Sequence, residues 1–108
     1  MGTQPVARKT GADPVKVDAK HYKVQLENEK VRVLRISYGP HEKSEMHAHP
    51  AALAILLTDH HAKFTFPNGR SEERRAKAGD ILWFPAEEHL PENLAGTKLE
   101  LILVELKS

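Results

Sequence analysis

The chain has 108 residues, enough for one domain and too few for two. Sixteen Lys and Arg stand against fifteen Asp and Glu, a net charge of +1 with neutral histidines, so neither a nucleic-acid footprint nor an acidic tail is visible. Cysteine is absent, which excludes disulfides, thiolate metal sites and a cysteine nucleophile.

Residues 1–20 are polar, carry Pro5, Gly11 and Pro14, and show little periodicity. They read as an N-terminal arm, loosely ordered or packed on a partner subunit. Residues 1–19 contain no apolar leader-type stretch, and the expected location is cytoplasmic. The longest uncharged apolar run, residues 50–57, is far short of the ~20 residues that span a membrane. No membrane partner is expected.

From residue 21 onward short apolar stretches alternate with turn residues every eight to twelve positions, about the rhythm of an all-β sandwich or barrel. Residues 21–108 are therefore read as a single domain. The first strands fall at 22–26 and Val31–Tyr38, with Glu27-Asn28-Glu29 turning between them. Leu34, Ile36 and Tyr38 share one face and Arg35 and Ser37 the other, as period-2 geometry requires. Gly39-Pro40 ends that strand. Strands at 45–49 and 53–57 follow, separated at Pro50, which cannot donate to a central ladder. Thr58-Asp59-His60-His61 reads as a turn into a strand at 62–66.

Pro67-Asn68-Gly69-Arg70 is the strongest hairpin signal, because Asn and Gly tolerate positive φ. Ser71–Ala76 is helical by propensity but too short for a stable helix, and is read as a solvent-facing strand. Strands at Ile81–Phe84, 89–93 and Leu99–Leu106 complete the set. The last is apolar on both faces, which fits burial on two sides in a core or a subunit interface.

Seven histidines punctuate this pattern, and two of them are spaced i, i+2. His47 and His49 flank Ala48 on an expected strand, so alternation puts both imidazoles on one face, about 7 Å apart along the backbone. Inside a barrel that face is the lumen, where both can meet one ion. A third ligand must come from elsewhere, and His89, beyond Ile81–Phe84 and the Pro85 turn, is the best candidate. Neutral imidazole suits Fe, Zn, Cu and Ni.

The remaining signals carry bland readings. Asp59-His60-His61 lies in the expected turn and is read as solvated. His21 and His41 have no partner by spacing. Trp83, Phe84, Phe64 and Phe66 read as core, as does Tyr38, whose hydroxyl is the one phenol able to face a cavity near His47. Asn93 is expected to orient His89 or cap its loop. Residues 72–75 read as a solvated edge. Isolated glycines exclude a phosphate-binding loop, and scattered serines without a nucleophile elbow argue against a serine hydrolase.

Two stretches carry a family resemblance. Gly39 to Leu57, with His47-Ala48-His49-Pro50, resembles the first cupin motif: glycine, spacer, His-x-His, a carboxylate, spacer, glycine. The run Gly79-Asp80-Ile81-Leu82-Trp83-Phe84-Pro85-Ala86-Glu87-Glu88-His89-Leu90-Pro91-Glu92-Asn93 resembles the second, Gly-x5-Pro-x-Gly-x2-His-x3-Asn. The resemblance covers about residues 22–106 and implies a double-stranded β-helix, a jelly-roll barrel that holds its ligand in the mouth.

It also implies His47, His49 and His89 as metal ligands. Two departures stand out. The motif's carboxylate position falls on Leu53 or Ala54, and the second motif's glycine is Glu87, with Pro85 to His89 one residue short. Either three histidines alone hold the ion, or Glu45, two residues before His47 on the same expected strand, supplies a carboxylate.

Cupins with only three histidines include non-haem iron dioxygenases, so the resemblance implies a divalent metal. Fe(II) is favoured, with Zn, Ni, Cu or Mn as the other choices. The implied activity is dioxygenase-like, on a small organic substrate, and catalytic residues beyond the metal site are not indicated. The alternative is a non-catalytic binding module or a sensor of a metal or small ligand. The resemblance further implies a homodimer.

Overall fold

The computed structural model describes residues 11–107. Within them a short helix, α1 (Pro14–Val17), precedes the strands β1 (Tyr22–Glu27), β2 (Val31–Tyr38), β3 (His47–His49), β4 (Ala52–Leu56), β5 (His60–Thr65), β6 (Ser71–Ala76), β7 (Ile81–Phe84), β8 (Glu87–Asn93) and β9 (Leu99–Leu106). They form a five-stranded sheet ordered β1-β2-β9-β4-β7 and a four-stranded sheet ordered β3-β8-β5-β6. Every named strand pair is antiparallel. No helix among the described residues is long and apolar enough to cross a membrane.

Alternation fills the space between the sheets. β2 and β9 pair along their whole length, from Val31 opposite Leu106 to Tyr38 opposite Leu99. Their inward phase carries Leu34, Ile36 and Tyr38 on one strand and Leu99, Leu101 and Leu103 on the other. β4 adds Ala52, Ala54 and Leu56, and β5 adds Ala62 and Phe64 from the facing sheet. Each large side chain buried this way contributes roughly 1.5–3 kcal/mol.

The Asn68-Gly69 turn joins β5 to β6 as expected. Gly69 has φ +88°, and the Phe66 N–H donates to the Arg70 carbonyl at 2.8 Å. Ser71–Ala76 is a strand, paired from Ser71 opposite Thr65 to Ala76 opposite His60. A ready-made partner strand overrides helix propensity over so short a segment.

Two expectations change, the extent of the 58–61 turn and the place of Trp83. The expected turn at 58–61 is shorter, because β5 begins at His60, and the strand's phase buries that ring. β4 turns Ala52, Ala54 and Leu56 inward, so Leu53 and Ile55 lie only half-buried on the outer side. Opposite them, Trp83 and Ile81 stand exposed at 56% and 64%, and Trp83 is not a core residue. Within this chain β9 buries one face fully and the other by half. Ile102 and Val104 join the outer side, beside Leu53 and Ile55.

Residues 11–20 of the expected arm pack on β3 of the same chain, and residues 1–10 lie outside the described region. Asp13 caps α1 by accepting from the Val15 N–H at 3.0 Å, with Pro14 at the first helical position. The Ala48 N–H donates to the Ala12 carbonyl at 2.8 Å. A Cβ at Gly11 would sit 2.4 Å from that of Ala48, so only glycine permits this approach.

Candidate metal centre

β3 and β8 are aligned so that His47 stands opposite His89 and His49 opposite Glu87. Directly opposed residues of an antiparallel pair share a face, so this register alone brings His89 beside His47. Two-residue alternation along β3 adds His49. The ring centroids are 4.8 Å apart for His47 and His49, 5.0 Å for His47 and His89, and 5.3 Å for His49 and His89. One ligand atom from each lies within 4.8 Å of the others, and all three residues are buried. The structure thus brings together all three histidines expected from the sequence.

Each ring is held through Nδ1. His49 Nδ1 donates to Glu105 Oε2 at 2.5 Å, and His89 Nδ1 to Glu87 Oε1 at 2.6 Å. His47 Nδ1 donates to the Glu45 carbonyl at 2.8 Å, with Ser44 Oγ at 3.3 Å. Carboxylates and carbonyls only accept, so these partners fix the Nδ1–H tautomer and leave Nε2 with the lone pair. The Nε2 of His47 is buried and has no hydrogen-bond partner. An unpaired buried nitrogen costs about 1–3 kcal/mol, and a shared ion would satisfy it.

Behind the carboxylates stand two arginines. Arg32 Nε donates to Glu105 Oε1 at 2.8 Å, and its remaining nitrogens make a two-pronged contact with Asp13 at 3.0 Å. Arg74 pairs with Glu87 at 3.0 and 3.3 Å and with Glu72 at 2.6 Å, its guanidinium 4.2 Å above the Phe64 ring. Burial opposes ionisation of Glu105 and Glu87. The hydrogen bonds from histidine and arginine prevail, lowering both, Glu87 to about 2. Burial pushes the His47 pKa down to about 2 and that of His89 to about 4, and the neighbouring imidazoles add to the shift. Neutral imidazole is the form that binds metal.

Glu45 does not join the cluster. β3 begins only at His47, and the Glu45 side chain is exposed; its contribution is the backbone carbonyl that holds His47. No fourth protein ligand accompanies the three histidines among the described residues.

A narrow cavity of about 50 Å³ opens beside the cluster, lined by His49, His89, Tyr22, Tyr38, Phe64 and Leu101 among others. A buried water needs roughly 10–15 Å³ of such space, so a few waters or one small organic molecule fit. Tyr38 does face it, and its hydroxyl pairs with that of Tyr22 at 2.6 Å. Tyr22 in turn packs edge-on against His47, with centroids 4.8 Å apart. The Asn93 side chain makes no hydrogen bond to a histidine. It ties the loops by donating to the Gly39 and Thr97 carbonyls and accepting from the Ala95 N–H.

Four supporting residues escaped the sequence reading, and each carried a signal. Glu105 continues the inward phase Leu99, Leu101, Leu103, and Arg32 precedes Leu34, Ile36 and Tyr38 in the same way. A charge on a core phase is a buried pair or a site. The two face each other across β2 and β9. Glu87 shares the phase of His89, and Arg74 stands opposite inward-facing Ala62. His21, assigned nothing, is buried between Asp18 and Glu42 and stacks on Tyr38 at 4.2 Å.

No protein-family model and no curated protein matches this sequence. Solved structures do. A cupin domain from Bordetella pertussis is 24% identical, with a TM-score of 0.75, over 81% of this chain and 92% of that one. A predicted oxalate decarboxylase from Thermotoga maritima is 24% identical, with a TM-score of 0.54, over 80% and 79%. A polyketide cyclase from Streptomyces resistomycificus is 16% identical, with a TM-score of 0.58, over 79% and 63%. With the strand order and the two facing sheets, these likenesses show that the chain has the cupin fold, a double-stranded β-helix.

Proposed function

We propose that His47, His49 and His89 hold one divalent metal ion, Fe(II) by preference, and that the protein is a dioxygenase-like enzyme acting on a small organic substrate. The observation that carries this reading is the buried, partnerless Nε2 of His47 among three rings that are each tied down through Nδ1. Imidazole-only donors suit Fe, Zn, Cu or Ni, so the residues present fit such an ion. A metal bound there supplies Lewis-acid and redox chemistry.

The rest falls to this chain. Glu105 and Glu87 orient two rings and keep their Nε2 lone pairs available, and the Glu45 carbonyl does the same for His47. Arg32 and Arg74 balance those two carboxylates, so the ion would keep close to its full charge and favour an anionic ligand. The apolar walls Leu101, Leu103 and Phe64 exclude bulk water. The Tyr22–Tyr38 hydroxyl pair can hold or pass a proton beside the cluster.

Elemental analysis of untagged protein, coupled to an oxygen electrode, tests this. We expect near-stoichiometric iron, and loss of both iron and substrate-dependent O₂ uptake in His49→Ala. Iron retained without O₂ uptake across a panel of diketones, thiols and catechols would overturn the dioxygenase. Purified protein lacking metal, with a melting temperature unmoved by chelator, would overturn the metal site and leave a non-catalytic binding module, because a resident ion stabilises by linkage. A homodimer is part of the same reading. Trp83 and Ile81, with Leu53, Ile55, Ile102 and Val104, make an apolar stripe on the outer side of the five-stranded sheet that a second copy would cover.

A further inference from the structure

Five histidines are buried among the described residues. Four have a hydrogen-bonded ring nitrogen, and His60 has none: both its Nδ1 and its Nε2 are buried without a partner. The residue is 7% exposed, on the inward phase of β5 with Ala62 and Phe64, and it lines the same cavity as His49 and His89. Phe64 links it to the cluster, its ring centroid 6.1 Å from that of His60 and 4.9 Å from that of His89.

An imidazole carries a donor and an acceptor, and leaving either unmet inside a barrel costs about 1–3 kcal/mol. Replacing the ring by an apolar one would remove that cost. Its presence, with both nitrogens unmet, on the β5 side of a cavity whose walls are largely apolar marks a position where a ligand's polar group would meet it.

We propose that His60 is a ligand anchor: it hydrogen-bonds the far polar group, a hydroxyl or carbonyl, of a small, flat, largely apolar molecule whose other end reaches the three-histidine cluster. The proposal rests on the metal reading for the near end only. It defines the substrate class as two-ended, with a chelating head, an apolar middle that lies against Phe64 and Leu101, and one hydrogen-bonding group at the tail. Burial, with Arg74 and His61 nearby, pushes the His60 pKa down to about 4, so at neutral pH the ring offers one N–H and one lone pair, not a charge. The same residue borders a second, more open cleft beside Asp59, Lys77 and Thr97, and solvent from there is the competing partner.

The test uses 4-methylcatechol and 4-(hydroxymethyl)catechol, which differ by one tail hydroxyl, titrated calorimetrically into Zn(II)-loaded and metal-stripped protein. In the intact protein the hydroxymethyl compound should bind about tenfold tighter relative to its methyl partner than it does in His60→Phe, the size of one hydrogen bond. His60→Gln should restore most of that preference, and the side-chain ¹⁵N signals of His60 should shift with the hydroxymethyl compound alone. An unchanged ratio in His60→Phe, or no binding of either catechol to either form, would overturn the anchor. Equal affinity of stripped and loaded protein would overturn the metal reading instead, and the hydroxyl preference remains readable in both forms.

Discussion

At the β3–β8 end of the cavity every imidazole is tied through one nitrogen, two of them to carboxylates backed by arginines. At the β5 end His60 is as buried as its counterparts and is tied to nothing. The first arrangement is rigid. Rotating His49 would break its bond to Glu105, and Glu105 is itself pinned by Arg32. The second arrangement leaves its hydrogen-bonding capacity to whatever enters. On the proposed readings, the contrast is between a framework that would position metal-ligating atoms and a wall that would read a ligand.

The largest effect should come from cutting the rigid end at its deepest point. Glu105 is fully buried, and Arg32 is nearly so. Glu105→Ala leaves Arg32 with Asp13 as its remaining carboxylate and His49 without its acceptor. Breaking a buried pair typically costs about 3–5 kcal/mol, and the surviving Asp13 contacts place this case toward the low end. Loss of the ring's orienting partner should also weaken metal binding about 10–100-fold. Urea unfolding with a chelator-competition titration reads both. A variant as stable as the parent would show that Glu105 is not what holds His49.

How much of this was legible in the sequence follows from how far each contact depends on register. The three histidines were legible because motif spacing and two-residue alternation place them without knowing which strands pair. Glu105 and Arg32 were not, since their meeting requires β2 and β9 to align over the full strand, a choice made by the whole core. His60 was misread for a local reason. Asp59 and two histidines look like a solvated turn, but the Asn68-Gly69 hairpin carries β6 back as far as Ala76, and that pairing draws His60 into β5 with its ring inside. Trp83 failed in the opposite sense. An aromatic beside Phe84 reads as core, yet on a strand one of two neighbours must point outward, and here it is the tryptophan.

The free end gives the next effect. The His60 pKa is about 4 in the folded protein against an ordinary value of 6.5, so the unfolded chain takes up this proton first as pH falls. The folded state therefore loses stability between pH 6.5 and 4, by at most about 3 kcal/mol at 1.36 kcal/mol per unit. His60→Phe should be as stable as the parent at pH 7, or more so, and should lose less on acidification. Melting curves at pH 7 and 4.5 for the two proteins measure the difference. Equal losses would mean that His60 is reached by water and protonates freely.

Smallest is the effect at the more open carboxylate of the rigid end. Glu87 does for His89 what Glu105 does for His49, but its side chain is 20% exposed, and Arg74 at 21% has Glu72 as a second partner. In Glu87→Gln the amide oxygen still accepts from His89 Nδ1, so the tautomer survives while the charge behind it goes. Stability should move by less than about 1 kcal/mol, because a pair in contact with water is partly screened. Metal affinity should fall about tenfold, the lower edge of what an orienting partner contributes. Competition with a chromophoric chelator, run beside Glu105→Ala, ranks the two carboxylates. Should Glu87→Gln weaken the metal more than Glu105→Ala, depth of burial would not be what decides which carboxylate governs the cluster, and the charge nearest the cavity mouth would take its place.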